Sequence, residues 1–282
     1  MRIYVYFLLF LMQISFAQYI SLEEKVALID FYNSTKGKEW KEKWDLSKPV
    51  ATWKGVSVLE GNVIAIVLPN NNLSGNLPES FGKISKLKVL NLQGNSITGV
   101  LPQSFIQLNL LEHCNLSFNQ LHGSLPSNLG DLKQLRNFEL HHNRFSGNLP
   151  DSIEFCVRLE NLTLFNNDFS GKLPLGIYQL VHLKHLRLQS NQFEGMLDGK
   201  IGNLIHLKTL NLFDNHLVGF VPKEIASLTQ LQELNISYNH FTGFVSPQIA
   251  AKDGFGVKML DSNGVAVQLK VSSDQVLVGA DE

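Results

Sequence analysis

Most of the chain repeats one pattern of apolar and polar positions every 24 residues. Glycines mark the period at eight positions, from Gly75 to Gly243. An apolar residue stands two positions before each glycine, and a leucine or isoleucine stands seven before it. An asparagine stands four positions before each glycine: Asn71, Asn95, Asn119, Asn143, Asn167, Asn191, Asn215 and Asn239. This self-similarity predicts a repeat protein whose units stack on one another.

Within each unit, apolar residues alternate along a short segment before the asparagine, as at Leu90 and Leu92. Alternation predicts a strand with one buried side and one solvent-facing side. Because one unit cannot bury its apolar side alone, stacked units must share a continuous core. We expect the asparagine amide to satisfy backbone groups in the turn after the strand. The glycine permits a backbone shape that a Cβ disfavours, and the proline three positions later ends ladder pairing.

The unit reads L-x-x-L-x-L-x-x-N-x-L-x-G-x-L-P-x-x-L-x-x-L. It resembles the leucine-rich repeat, and its L-x-G-x-L-P half resembles the subtype named from plant receptors. The resemblance implies an α/β leucine-rich-repeat solenoid: a curved right-handed coil with one short parallel strand per repeat on the concave face, and an N-terminal helical cap. It assigns residues 63–250 to eight repeats of 24 residues.

Residues 18–62 predict an N-terminal cap, because a solenoid must cover its ends. The segment "SLEEKVALIDFYNST" predicts an amphipathic helix that begins with a capping box at Ser21 and Glu24. Its predicted apolar stripe contains three residues: Leu22, Val26 and Ile29. All three tryptophans follow, which predicts a hydrophobic lid or, alternatively, an aromatic pocket for sugar: Trp40, Trp44 and Trp53.

The cap resemblance has one departure, in "ATWKGVSV". Plant receptors usually carry one cysteine two residues before the tryptophan and another shortly after the Gly-Val, whereas these places hold Ala51 and Val58. The stretch therefore looks more like the cap of exported bacterial leucine-rich-repeat proteins. The two cysteines, Cys114 and Cys156, fall in columns that other repeats fill with leucine or phenylalanine. Both are predicted to be free core thiols, and the cap to be held by packing.

The two ends of the chain carry further signals. "MRIYVYFLLFLMQISFAQ" combines a basic start, an apolar run and small residues at positions 15 and 17, which predicts a signal peptide over residues 1–17. An uncleaved anchor is the alternative. After cleavage we expect no membrane span, and a protein that is secreted or held at the cell surface. In 251–282, alternation around Asn263 and Gly264 predicts a β-hairpin that closes the last repeat or begins a second module.

Two breaks occur in the proline column. Asp198 replaces proline in the sixth repeat. Three explanations are open: a local loosening of the repeat, a contact point for a partner, or neutral sequence drift. Ser246 replaces it in the eighth, as expected where a solenoid ends.

Net charge is −1, so nucleic acid and anionic membranes are not expected partners. The sequence holds no phosphate loop, G-x-S-x-G, H-E-x-x-H or metal-spaced Cys/His cluster. We therefore predict a protein without catalytic activity, metal or cofactor.

Candidate binding residues come from the positions eight, six and five before each glycine. These positions carry mainly Asn, Gln and Ser, and the residues set among them are Phe118, Glu139, His141, His142, Phe165, Arg187, Phe213 and Tyr238. Exposed aromatic rings flanked by amides suit a protein or glycan ligand. The alternative is that the rings only stack along the solenoid and stiffen it.

The sequence therefore predicts an exported recognition module that binds protein or polysaccharide through its concave face. Other readings are a receptor-like ectodomain, a hydrolase inhibitor resembling the plant polygalacturonase inhibitors, and a structural surface scaffold. Ice binding has precedent in the family, but it needs a flat, regular Thr-rich face, which the sequence lacks.

Overall fold

A computed structural model describes residues 20–254 and 256–272. The predicted signal peptide, residues 1–17, lies outside this range. Helix α1 (Leu22–Ser34) opens the described chain, and the Ser21 Oγ accepts a hydrogen bond from the backbone N–H of Glu24 at 3.1 Å. Among the described residues, no helix is long and apolar enough to span a bilayer.

The predicted apolar stripe of α1 is wrong. Leu22 is 77% exposed and Val26 is 46% exposed, while Ile29 is only partly buried. The helix is rotated so that its two aromatic residues and their neighbours one turn earlier face the repeats: Glu24, Ala27, Leu28, Phe31 and Tyr32. The reason is area, since burying Phe and Tyr removes more apolar surface from water than burying Leu22 and Val26.

The three tryptophans form a buried lid beside the first repeat. Trp40, Trp44 and Trp53 are 1, 4 and 3% exposed, and the Trp44 and Trp53 rings stack at 4.8 Å. Each indole N–H donates to a backbone carbonyl of the cap, as Trp40 does to Thr35 at 2.8 Å. Rings that are buried and already hydrogen-bonded offer no open face to a sugar. They connect to the repeats through Phe31, whose ring lies 5.2 Å from that of Phe81.

Strands β1 (Val56–Leu59) and β2 (Asn62–Val67) form an antiparallel hairpin that the sequence analysis did not predict. The repeats then contribute two strands each: β3 Ser74–Asn76, β4 Val89–Asn91, β5 Ser96–Gly99, β6 His113–Asn115, β7 Gln120–Gly123, β8 Asn137–Glu139, β9 Arg144–Gly147, β10 Asn161–Thr163, β11 Asp168–Lys172, β12 His185–Arg187, β13 Gln192–Met196, β14 Thr209–Asn211, β15 His216–Phe220, β16 Glu233–Asn235 and β17 His240–Thr242.

These strands make two sheets within the described part of the chain. The even-numbered strands from β2 to β16 run parallel along the concave face, and each residue pairs with the one 24 positions on, as Leu90 does with Cys114. The odd-numbered strands from β3 to β17 form a second parallel array. The expectation of one parallel strand per repeat on the concave face is confirmed, and the second sheet is an additional feature that was not predicted. The second strand forms because the segment around each glycine is extended, with the glycine itself at positive φ, 72° at Gly171.

Each proline, or Asp198 in its place, is followed by a short 3-10 helix in the seven complete repeats: Glu79–Lys83, Gln103–Gln107, Leu129–Asp131, Asp151–Phe155, Leu175–Gln179, Gly199–Asn203 and Lys223–Ser227. Two more lie in the cap, at Gly37–Glu39 and Val50–Thr52. Asp198 causes no loosening. Its Oδ1 accepts from the Lys200 N–H at 2.8 Å, and its own N–H, which proline lacks, donates to the Tyr178 hydroxyl at 3.3 Å.

The core between the sheets and the 3-10 helices is built of leucine columns and a phenylalanine stack. Phe145, Phe169 and Phe193 lie in adjacent repeats with nearly parallel rings, 6.0 and 6.2 Å apart. Cys114 and Cys156 are both free and buried, as predicted. Burial raises the pKa of each thiol, to about 12 at Cys156.

The asparagine column forms a hydrogen-bonded ladder. The Asn167 Nδ2 donates to the Leu140 and Leu164 carbonyls at 3.0 and 2.9 Å, and its Oδ1 accepts from the Phe145 N–H at 2.9 Å. The ladder ends on residues outside the repeat. At the first rung, the Asn71 amide bonds the backbone N–H and carbonyl of Glu42 instead of a preceding repeat.

The C-terminal segment covers the last repeat. Helix α2 (Pro247–Ala250) follows β18 (Phe244–Val245), which pairs with β21 (Lys270–Val271). The predicted hairpin is present, formed by β19 (Lys258–Leu260) and β20 (Ala266–Gln268). It bonds the repeat through Tyr238 N–H to the Lys258 carbonyl at 2.6 Å. The Asp253 carboxylate accepts from the Ile236 N–H at 2.8 Å, where a further repeat would otherwise pair.

Candidate ligand-binding face

The candidate residues lie at the end of each concave strand and in the turn after it. Residues five positions before the glycines have positive φ. In the third to eighth repeats, φ lies between 53° and 57° at these positions: Phe118, His142, Asn166, Ser190, Asp214 and Tyr238. This left-handed region is unusual for bulky side chains. The aromatic residues of this column are therefore held in a backbone shape that their own side chains disfavour.

Four of the predicted residues form one compact group, here called the four-ring cluster: Phe118, His141, His142 and Phe165. Phe118 stacks on His142 at 4.3 Å, and His141 stacks on Phe165 at 4.4 Å. The two stacks meet edge to face at 5.2 Å. Phe118 remains 45% exposed, so the cluster presents an apolar ring face to solvent.

Polar atoms with unused hydrogen-bonding capacity border the cluster. His141, Phe165 and Gln189 occupy the same position in three successive repeats. His141 and Gln189 therefore lie on either side of Phe165. His141 Nδ1 and Gln189 Oε1 are buried and have no hydrogen-bond partner among the described residues. Burial, together with the neighbouring His142 and Arg187, lowers the pKa of His141 to about 4. His141 is therefore neutral at pH 7 and acts as a hydrogen-bonding group.

Glu139 and Arg187 lie at the ends of strands β8 and β12. The Glu139 Oε2 accepts from Asn115 Nδ2 at 3.1 Å, and burial raises the pKa of this carboxyl, opposed by Arg187 and His113. The Arg187 Nη2 lies 3.4 Å from His185 Nδ1. Among the ion pairs of the described residues, none involves Arg187. Its guanidinium thus keeps donors available to a ligand.

Phe213 and Tyr238 form a separate aromatic pair, with ring centroids 5.0 Å apart and planes inclined at 51°. They belong to the last two repeats, beyond Arg187 in the sixth. The structure therefore divides the eight predicted residues into the four-ring cluster, the two charged residues beside it, and this pair. His216 and His240 also stack, at 6.1 Å, and the described residues contain no group of three or more metal-ligating side chains.

The sequence analysis missed one column of this face, ten positions before each glycine. Its side chains bond one another along the sheet, as His113 Nδ1 does with Asn137 Nδ2 at 2.8 Å and His185 Nδ1 with the Thr209 hydroxyl at 3.0 Å. Strand alternation could have found it, since residues ten and eight before the glycine share one side of a strand. These side chains lie on the same side of the concave sheet as Glu139 and Arg187.

Comparisons with known proteins agree with this architecture. Residues 62–121 and 181–241 match one family model described as leucine rich repeat, and residues 134–156 match a second. The plant peptide hormone receptor RGFR1, solved in complex with RGF2, is 33% identical over 73% of this chain, with a TM-score of 0.65. The Arabidopsis receptor kinase HAESA, solved with the peptide hormone IDA and the co-receptor SERK1, is 31% identical over 72%, with a TM-score of 0.64.

A third similar structure, PEPR1 with AtPEP1, is 27% identical over 78% of this chain, with a TM-score of 0.72. The chain spans about one third of each of these three chains, from 32 to 35%. A plant ice-binding protein, 22% identical with a TM-score of 0.54, shares the fold. The repeats, the two parallel sheets and these similarities together show that the chain is a leucine-rich-repeat protein.

Proposed function

We propose that the chain is an exported, non-enzymatic recognition protein that binds a peptide segment of a protein ligand on its concave face. The four-ring cluster supports this proposal best. It offers an exposed aromatic surface next to buried polar atoms without partners, a combination typical of residues that dominate binding energy. Export rests on the N-terminal sequence pattern alone.

The face is preorganised for binding. Its even-numbered strands from β4 to β14 are three residues long, but each is paired on both sides and followed by an asparagine of the ladder. A ligand therefore meets side chains on a rigid backbone, which reduces the ordering cost of association. A peptide ligand would place an apolar side chain against Phe118 and hydrogen-bond the accessible parts of the half-buried His141 and Gln189 side chains, while Arg187 and Glu139 favour one orientation of its charges.

The similar receptors favour a peptide over a polysaccharide, since RGFR1 is a peptide hormone receptor solved with RGF2 and HAESA was solved with the peptide hormone IDA. A receptor-like ectodomain and a hydrolase inhibitor are narrower versions of the same function, because both act by binding protein. The two are distinguished by capture: immobilised protein would retain a small peptide in the first case and a folded hydrolase in the second.

The test is to select peptides from a random library on the purified protein and to measure their affinities for variants. Phe165→Ala should weaken binding about tenfold to thirtyfold, as expected for a central aromatic contact. Phe155→Ala is the matched control, because this phenylalanine is 54% exposed on a 3-10 helix outside the face. Its affinity should equal that of the wild type.

Circular dichroism of both variants should show a folded protein. Equal affinities for wild type and Phe165→Ala would reject the site, and a loss of stability without a loss of binding would mean that the rings only stiffen the solenoid. Selection of oligosaccharides but no peptides from parallel libraries would replace the peptide by a glycan.

A further inference from the structure

A charged surface lies on the flank of the solenoid, where the chain turns from each 3-10 helix into the next concave strand. Its centre is a depression of about 450 Å³. Six residues line it and are here called the basic flank: Arg136, Arg158, Glu160, His182, Lys184 and His206. None of the candidate residues of the concave face belongs to it.

The centre of the basic flank is a fixed array of alternating charge. Arg136, Glu160 and Lys184 occupy the same position in successive repeats. The Glu160 carboxylate accepts from Arg136 Nη1 at 2.7 Å and from Lys184 Nζ at 2.5 Å, and these hydrogen bonds, that from Lys184 foremost, lower its pKa. It therefore remains ionised and holds one cation on each side.

The backbone beneath this array is equally fixed. The Glu160 carbonyl accepts from the N–H groups of Lys184 and His185 at 2.8 and 3.1 Å, and the Arg136 carbonyl accepts from those of Glu160 and Asn161 at 2.8 and 2.9 Å. Neighbouring repeats are thus one strand spacing apart, which places the Arg136 and Lys184 backbones about 10 Å from each other.

The flank has excess positive charge. Three cationic side chains line the depression against one carboxylate, in a chain whose net charge is −1. Arg158 is exposed and takes part in none of the ion pairs found in the described range. His182 and His206 follow it at intervals of 24 residues in the same column.

We propose that the basic flank binds an acidic oligosaccharide. Sugar carboxylates would bond Arg158 and the free donors of Arg136 and Lys184, and sugar hydroxyls would donate to the Glu160 oxygens. Glu160 decides between polyanions, because a hydroxyl can donate to a carboxylate whereas a phosphate diester has only acceptors and is repelled. The lining also contains no Phe, Tyr or Trp on which a nucleic-acid base could stack.

The test measures binding of three probes to the purified full chain by calorimetry: a galacturonic acid hexamer, its methyl ester, and inorganic polyphosphate of similar charge. The acid hexamer should bind more tightly than either of the others. The double variant Arg158→Gln/Lys184→Gln should bind it about tenfold more weakly, since each exposed charged contact contributes up to about fivefold. Glu160→Gln should reduce the preference for the hexamer over polyphosphate.

The matched control is Lys200→Gln/Lys223→Gln, which removes two exposed lysines of 3-10 helices that do not line the depression. It should bind the hexamer like the wild type. No binding by the wild type, equal binding of the methyl ester, tighter binding of polyphosphate, or an unaffected Arg158→Gln/Lys184→Gln variant would each overturn the proposal. Because these residues are outside the concave face, Phe165→Ala should leave hexamer binding unchanged.

Discussion

Removal of one rung of the asparagine ladder should lower the free energy of unfolding, by an amount that follows from the hydrogen bonds that the rung makes. Asn167 is 8% exposed, and its amide bonds Leu140, Leu164 and Phe145. The two carbonyls are shared, since Asn143 also donates to Leu140 at 2.9 Å and Asn191 to Leu164 at 3.1 Å.

In Asn167→Ala, the Phe145 N–H therefore loses the partner that the ladder gives it, while both carbonyls retain one. A buried unpaired donor costs about 1–3 kcal/mol, and each second bond to a carbonyl contributes roughly 0.5 kcal/mol. The free energy of unfolding should fall by about 2–4 kcal/mol. The control Asp168→Ala alters the exposed next residue and should stay within about 0.5 kcal/mol of the wild type.

Urea unfolding should be followed by two signals. Fluorescence reports on the cap, which holds all three tryptophans, and far-ultraviolet circular dichroism reports on the repeats. A loss below about 1 kcal/mol in both signals would refute the reasoning, because the shared carbonyls and the rest of the repeat would then absorb the change. A loss seen only by circular dichroism would locate the unfolding in the repeats.

Three further outcomes are expected. Phe118→Asn should be more stable to urea than Phe118→Ala by about 0.5–1 kcal/mol, since asparagine tolerates positive φ, while both bind a selected peptide equally weakly. Acid should destabilise the protein between pH 6.5 and 4, because burial lowers the pKa of His141 to about 4 and the unfolded chain takes up the proton first; His141→Gln should reduce this loss in urea titrations at pH 7 and 5. Reductant should leave the thermal midpoint unchanged, because Cys114 and Cys156 are not paired; a lower midpoint would indicate a disulfide.

The repeat was predictable because its spacing determines its pairing. Once Leu90 and Cys114 are 24 residues apart in one column, stacking fixes their register in a parallel sheet. The stripe of α1 was not predictable from spacing, because Leu22 and Phe31 satisfy similar periodicities and the lid decides which is buried. The second sheet was also missed, since the segment around each glycine carries a turn signal as strong as its strand signal.

The candidate face was predictable as a set of positions but not as an arrangement. Column membership brings His141 next to Phe165. It does not show that His142 turns back onto Phe118, which depends on the positive φ of both residues. The missed column that includes His113 and His185 follows from strand alternation, whereas its hydrogen-bonded pairs depend on side-chain conformations that no pattern encodes.

The repeat array ends on non-repeat residues at both termini: Glu42 bonds the first rung of the ladder, and Asp253 bonds the Ile236 N–H of the last repeat. Between them, each rung contacts only its neighbours, so the number of rungs is an adjustable property of the scaffold. Excising any 24 consecutive residues from the middle of the array joins equivalent positions of two repeats and leaves both terminal connections intact. Such a shortened chain should fold with a proportionally smaller unfolding enthalpy, which makes the length of the concave face separable from its chemistry.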